Sequence, residues 1–278
     1  MNKSTIEKQE DGTIKLTITL PEAEVAKAHE AVLVELTKGA NLPGFRKGKA
    51  PQQLVQEKLN QDQVREEVLK KLLPQAYSQA VTDHALRPIM NPKIHIEKID
   101  EGSDWVLNAL TCEMPVIDPG KYKENVKKVT AKSKIIVPGK EGEAKKPSTE
   151  EVMKAVLSGV KVQLPTILVD QETDRLLAQL LDDVKRLGLS LEQYLGSTKR
   201  TAEDLRNEYA KRASEDITLE FALQKIAEEE KITVEAQEVE EAIQKAKDPQ
   251  EKQNLEANRY LLASILRQQK TLDFLLSL

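Results

Sequence analysis

The sequence predicts two architectures in one chain: an α+β N-terminal unit, made of a small antiparallel sheet plus a helix–loop–helix extension, and an all-α half after it. Three observations carry this reading. Residues 13–20 alternate, with Ile14, Leu16, Ile18 and Leu20 on one face, as a half-buried strand does. From Ser148 onward, apolar residues recur at helical spacing between helix-start signals: Ser148 with Glu151, Ser190 with Gln193, and Asp248-Pro249 with Glu251. Between the halves, Pro115, Pro119 and Gly120 mark a boundary, and residues 121–147 are rich in lysine.

Taken in order, Asp11-Gly12 is a hairpin signal that pairs residues 4–10 with the 13–20 strand. Pro21 opens a helix, where its missing N–H is harmless, with Val25, Ala28, Val32, Leu33 and Leu36 on one stripe and Gly39 at its end. A loop follows, then a short helix over 52–59 and a longer one over 62–86 that Pro74 should kink. Strands are expected at 93–99 and 104–114. Residues 121–147 end in Pro138-Gly139-Lys140-Glu141-Gly142-Glu143, which favours an extended basic linker with a strand at 134–137. Helices are then expected at 149–158, 166–187, 190–196, 201–230, 235–246, 249–268 and 271–277. Residues 156–169 align with 226–239 in a faint internal repeat. The domains read as 1–118, a 119–147 linker and 148–278.

Charge is uneven. Residues 1–120 carry 15 Lys and Arg against 18 Asp and Glu, residues 121–147 carry 9 against 3, and residues 148–278 carry 18 against 25. The body is therefore not a general nucleic-acid binder. Aromatics make up only 3% of the chain, which argues against deep ring-lined ligand pockets. Cys112 is the one cysteine, so no intrachain disulfide can form. Met1–Glu7 lacks the apolar run of a secretory leader and no segment approaches a membrane span, so a cytoplasmic location and no membrane partner are expected.

The loop between the first helices is the most informative stretch. It reads Gly44-Phe45-Arg46-Lys47-Gly48-Lys49-Ala50-Pro51: three cations in six residues, no anion and one aromatic at the tip. Such a loop suits a polyanionic surface, since Arg and Lys neutralise phosphates while the ring stacks or wedges. The same composition also makes an ordinary interhelical turn with solvated lysines. The order of residues is more specific. It resembles the ribosome-docking signature of the bacterial trigger factor family, Gly-Phe-Arg-any-Gly-Lys-any-Pro, at all six specified positions. The resemblance extends through the strand–helix–loop–helix context to about residue 118. In the second half, Val162-Gln163-Leu164-Pro165, followed by Leu168-Val169 and Glu172, is similar to the segment that opens the family's helical arms.

That resemblance implies a ribosome-associated chaperone. Gly44, Phe45, Arg46, Lys47, Gly48 and Lys49 would bind the large ribosomal subunit near the nascent-chain exit, and the helical half would shield unfolded nascent polypeptides. A weak homodimer is among the compatible assemblies. The family usually inserts a prolyl-isomerase domain between the two halves. Only about thirty residues are available here, against the length of a whole small domain, so a short form without isomerase activity is expected.

Nothing else demands catalysis. His29, His84 and His95 fall on separate elements without metal-ligand spacing, and Cys112 reads as a small buried hydrophobe in a strand. Glu228-Glu229-Glu230 and Glu238, Glu240, Glu241 read as solvated helix faces. No catalytic residue, metal or cofactor is expected. The helical half instead offers apolar stripes at Leu176–Leu187 and Leu205–Leu223, and a leucine-rich end whose last seven residues suit a core better than a surface. Two other readings compete: a holdase chaperone that acts away from the ribosome, and an RNA-binding assembly factor. The missing leader and the loop signature count against the first, and the acidic helical half against the second.

Overall fold

The computed structural model describes residues 3–39, 60–100, 102–133, 148–246 and 248–278. These form two compact units, one of residues 1–114 with 165–168 and the other of 115–164 with 169–278.

The described residues of the first unit form a four-stranded antiparallel sheet with two helices on one face. Strands β1 (Lys3–Lys8), β2 (Thr13–Leu20), β3 (Lys93–Lys98) and β4 (Trp105–Cys112) lie in the order β1-β2-β4-β3. The alternation that marked β2 sets the register. Leu16 faces Ala109, Ile18 faces Leu107 and Leu20 faces Trp105, all buried. On the other face Thr17 donates to Asn108 at 2.8 Å, and Asn108 donates to Glu97 on β3 at 2.9 Å. Helices α1 (Glu22–Gly39) and α2 (Gln61–Asp83) cover the apolar face. Val25, Ala28, Val32 and Leu33 from α1 and Val64, Val68, Ala76 and Ala80 from α2 share one core with the sheet. The hairpin tip is held by Asp11, whose carboxylate accepts the Thr13 backbone N–H and hydroxyl, each at 2.9 Å, and the Thr166 N–H at 3.0 Å. The expected helix over 52–59 and strand over 134–137 lie outside the described residues.

The second unit opens where an extended linker was expected, and the correction is specific. Short strand β5 (Ile117–Asp118) pairs antiparallel with β6 (Lys161–Val162), and residues Tyr122–Ser133 form helix α3. Tyr122 and Val126 stand one turn apart and are buried in a core with Val152, Ala155 and Val156 of α4 (Thr149–Leu157). Their i, i+4 spacing supplies the buried stripe, while Lys121, Lys123, Lys127 and Lys128 around them are exposed and dominate the composition. Pairing of β5 with β6 brings Gly120 against Gly159 so closely that a Cβ on Gly120 would lie 2.3 Å from the Gly159 carbonyl oxygen.

The remaining helices are α5 (Thr166–Arg186), α6 (Leu191–Thr198), α7 (Ala202–Glu229), α8 (Ala236–Lys245), α9 (Pro249–Ala257) and α10 (Arg259–Ser277). Capping boxes form at Ser148 and Ser190 as read from the sequence, and also at Thr201 with Asp204. Asp248 caps α9 ahead of Pro249. The starts of α5 and α8 keep the offset of seventy residues seen in the internal repeat. One expected break moves. The chain is helical through Gln268–Lys270 and interrupted instead at Asn258, whose side chain donates to the Asn254 carbonyl at 2.9 Å and ends α9. The C-terminus closes the core, with Leu275 fully buried among Ala222, Leu223 and Ile226 of α7 and Leu272, Phe274, Leu276 and Leu278 packed around it.

Candidate functional site

Gly44, Phe45, Arg46, Lys47, Gly48 and Lys49 lie outside the described residues; their frame does not. On α1 and α2, Glu35 meets Lys71 at 2.8 Å. Near the other end, Val25 and His29 of α1 line a cavity of about 220 Å³ with Gln61 and Arg65 of α2. Like ends of the two helices thus lie together, and α1 and α2 run parallel. Gly39, where the chain leaves, and Asn60, where it rejoins, stand at opposite ends of the pair, about 20 Å apart along α1 at 1.5 Å per residue. The Asn60 end is capped locally. Asn60 accepts the Asp62 N–H at 2.9 Å, and the whole pair rests on the buried core of the sheet. The signature segment lies in sequence between these two helix ends.

In the helical half the apolar stripes divide into core and surface. Leu176, Val184, Leu205, Ala213, Ile217, Phe221 and Leu223 are buried. The first turns of α10 are not: Tyr260, Leu261 and Ile265 are 96%, 61% and 51% exposed. Nearby on α10, Ala263, Ser264, Arg267 and Thr271 face Leu223, Gln224 and Ala227 of α7 across a cleft of about 460 Å³ floored by Thr233 and Val234. Cations of α10 hold the floor in place. Arg267 donates to the Ile232 carbonyl and Lys270 to the Thr233 carbonyl, each at 3.0 Å.

Glu228, Glu229 and Glu241 are exposed, as their reading as solvated faces expects, but Glu230, Glu238 and Glu240 of the same clusters do more than face solvent. Glu230 accepts the Tyr122 hydroxyl at 2.8 Å and meets Lys123 at 2.6 Å, tying α3 to the end of α7. Lys123 and then the Tyr122 hydroxyl hold the Glu230 carboxyl below its ordinary range. Burial, reinforced by Glu230, pushes the Tyr122 hydroxyl well above the usual phenol value. Glu238 meets Lys270 at 2.6 Å, and Arg259 meets Glu240 at 2.5 Å. These ion pairs join helices far apart in sequence, so helical periodicity alone could not reveal them. Cys112 is buried with its sulfur 3.4 Å from that of Met90, and burial pushes its thiol up to about 11, as suits a core residue and not a nucleophile. His29, His84 and His95 sit on α1, at the end of α2 and on β3, and the structure does not bring them together; His84 is hydrogen-bonded to Ser4 at 3.1 Å.

Residues 2–141 match the family profile described as Bacterial trigger factor protein (TF), and residues 125–277 match that of its C-terminus. The chain belongs to the trigger factor family. The two matches overlap across 125–141, so no chain remains between them for an inserted domain, and the chain is a short form within the family. Over 117 residues it is 35% identical to the trigger factor of Listeria welshimeri, and over 120 residues 31% identical to that of Staphylococcus epidermidis. These alignments cover 42% and 43% of this chain but only 27% and 28% of the relatives' length. A solved structure described as "Promiscuous Substrate Recognition in Folding and Assembly Activities of the Trigger Factor Chaperone" covers 99% of both chains with a TM-score of 0.64 at 15% identity, a likeness of fold. Among the described residues, no helix is long and apolar enough to cross a membrane.

Proposed function

We propose that this protein is a ribosome-associated molecular chaperone that docks near the nascent-chain exit and shields newly made polypeptides. The observation that carries this is the Gly44–Pro51 signature, placed between two helix ends anchored on one sheet core. Phe45, Arg46 and Lys47 make the main contact with the large ribosomal subunit and Lys49 assists, the cations meeting phosphates and the ring a surface recess. Residues 1–118 serve docking, and the helical half from 148 onward serves clients through exposed apolar surface such as Tyr260, Leu261 and Ile265. Scattered weak contacts within a charged frame tolerate many sequences and release them quickly.

No isomerase step belongs to this reading, nor any cofactor, and the working compartment is the cytoplasm. The overlap of the two family matches supports the first point. Co-sedimentation with ribosomes tests docking, with F45A/R46A/K47A expected to remain in the supernatant. Client binding is tested by aggregation of an unfolded protein. The full chain should suppress it, and Y260S/L261S/I265S should suppress it less at unchanged melting temperature. Suppression equal to wild type would remove these residues from the client surface. A prolyl tetrapeptide assay should give the uncatalysed isomerisation rate; turnover above it would show a catalytic site that this reading lacks.

A further inference from the structure

The internal repeat places two similar interhelical links in the helical half, and only one of them has a strand partner. Residues 158–165 join α4 to α5, and Lys161–Val162 within them pairs antiparallel with β5, Ile117 opposite Val162. Residues 230–235 join α7 to α8. Counted from the last residues of the preceding helices, Leu157 and Glu229, Val162 and Val234 both stand fifth. The second link is the shorter, with six residues against eight, and no strand lies against it among the described residues.

Val234 keeps its main-chain groups free. Its N–H and carbonyl, and the Thr233 N–H, have no hydrogen-bond partner among the described residues. In a folded chain such groups are normally paired or solvated. The link around them is nonetheless fixed. The Ile232 N–H donates to the Ala227 carbonyl at 2.8 Å, Arg267 and Lys270 hold the Ile232 and Thr233 carbonyls, and the Glu235 N–H donates to Glu238 at 2.8 Å. Thr233 and Val234 line the cleft between α7 and α10.

The walls of that cleft select no charge sign. Its charged residues are Glu220 and Arg267, one of each, and Lys270 beside it is already paired with Glu238. Leu223, Ala227 and Ala263 supply apolar surface. Free main-chain groups beside apolar surface are completed by an extended chain, whose backbone is the same whatever its sequence. The first link shows the kind of occupant: there a strand, β5, lies where the second link has none. We propose that Val234 binds an extended segment of an unfolded client by antiparallel strand pairing, exchanging both main-chain hydrogen bonds with one client residue. Apolar client side chains then lie on Leu223, Ala227 and Ala263. The proposal rests on the reading of the helical half as the client-binding frame, and names its mode of recognition as main chain first.

The test uses the full chain and a short capped peptide in which valine alternates with serine or lysine, labelled for fluorescence anisotropy. N-methylation at the valines keeps every side chain and removes the donors of one peptide edge; N-methylation at the serines and lysines removes those of the other. One of the two methylated peptides should bind about tenfold or more weakly than the parent. Hydrogen exchange of the Val234 amide, followed by nuclear magnetic resonance, should slow about tenfold or more when the parent peptide binds. Val234→Pro removes an N–H that bonds nothing within the protein, and should weaken peptide binding about tenfold while ribosome co-sedimentation stays unchanged. Equal affinity of all three peptides, an unchanged Val234 amide, undiminished binding by V234P, or no peptide binding by a chain that still suppresses aggregation would each overturn the strand pairing and leave the chaperone reading standing. A full chain that neither binds the peptide nor suppresses aggregation of an unfolded protein would overturn both.

Discussion

The Tyr122 hydroxyl donates to Glu230 at 2.8 Å, and this bond ties the helix that follows the first unit to the end of the longest helix of the second. Tyr122 is buried and its partner carboxylate also holds Lys123. Tyr122→Phe should therefore cost about 1.5–3 kcal/mol, the net value of a hydrogen bond to a charged group. The pH dependence has two limbs. Glu230 has a lowered folded value, so its contribution is present above the unfolded value near 4.5 and fades as pH falls through the lower folded one. Tyr122 has a raised folded value, so its contribution is full below the ordinary phenol range near pH 10 and is lost as pH rises beyond it. Melting curves of wild type and Y122F should converge at the alkaline end; a constant gap would show that the hydroxyl acts only through packing.

Asp11 sets the acid limit of the first unit. Burial alone would raise its carboxyl, but hydrogen bonds from Thr13 and Thr166 outweigh that and hold it at about 2. A depressed carboxylate contributes stability above its unfolded value of 3.8 and loses it as pH falls toward 2. Asp11→Ala should lower stability by about 1–3 kcal/mol at neutral pH, because it orphans three donors. The difference should shrink below pH 4. Measurement is by chemical denaturation at pH 7 and pH 3.

Gly120 and Gly188 both have positive φ, +58° and +74°, but only Gly120 is enclosed. Gly188→Ala should cost about 1 kcal/mol, from backbone strain alone. Gly120→Ala should cost clearly more, since its Cβ would meet the Gly159 carbonyl and part β5 from β6. Equal melting temperatures for the two variants would contradict this close approach.

The C-terminal turn is core. Leu275→Ala should cost about 2–5 kcal/mol, the range for emptying a fully buried leucine site. Deleting residues 272–278 should lower the melting temperature more than L275A does. A deletion that leaves melting unchanged and reduces only aggregation suppression would make this stretch client surface instead.

Much of the fold could be read from local pattern, and the exceptions share a cause. The β2 alternation and the Ser148, Ser190 and Asp248 caps act within a few residues, so the sequence displays them directly. Helix α3 was hidden because its lysines outnumber the Tyr122–Val126 pair that buries it. The break at Asn258 depends on one side chain turning back to its own backbone, which composition does not disclose. Leu187 belongs by spacing to the α5 stripe with Leu176 and Val184. The helix ends at Arg186, so Leu187 faces solvent while those two are buried. The 44–49 signature is the converse case, legible as residue order, while the structure describes only the helices on either side.

Ribosome co-sedimentation tests the central claim most directly. Wild type and F45A/R46A/K47A should have the same far-UV circular dichroism, since the changes lie between helices whose cores are intact. Wild type should pellet with ribosomes and release as salt rises, because phosphate contacts release counterions. The triple variant should stay in the supernatant at every salt concentration. Ribosome binding by the variant at wild-type strength would contradict the assignment of docking to this loop.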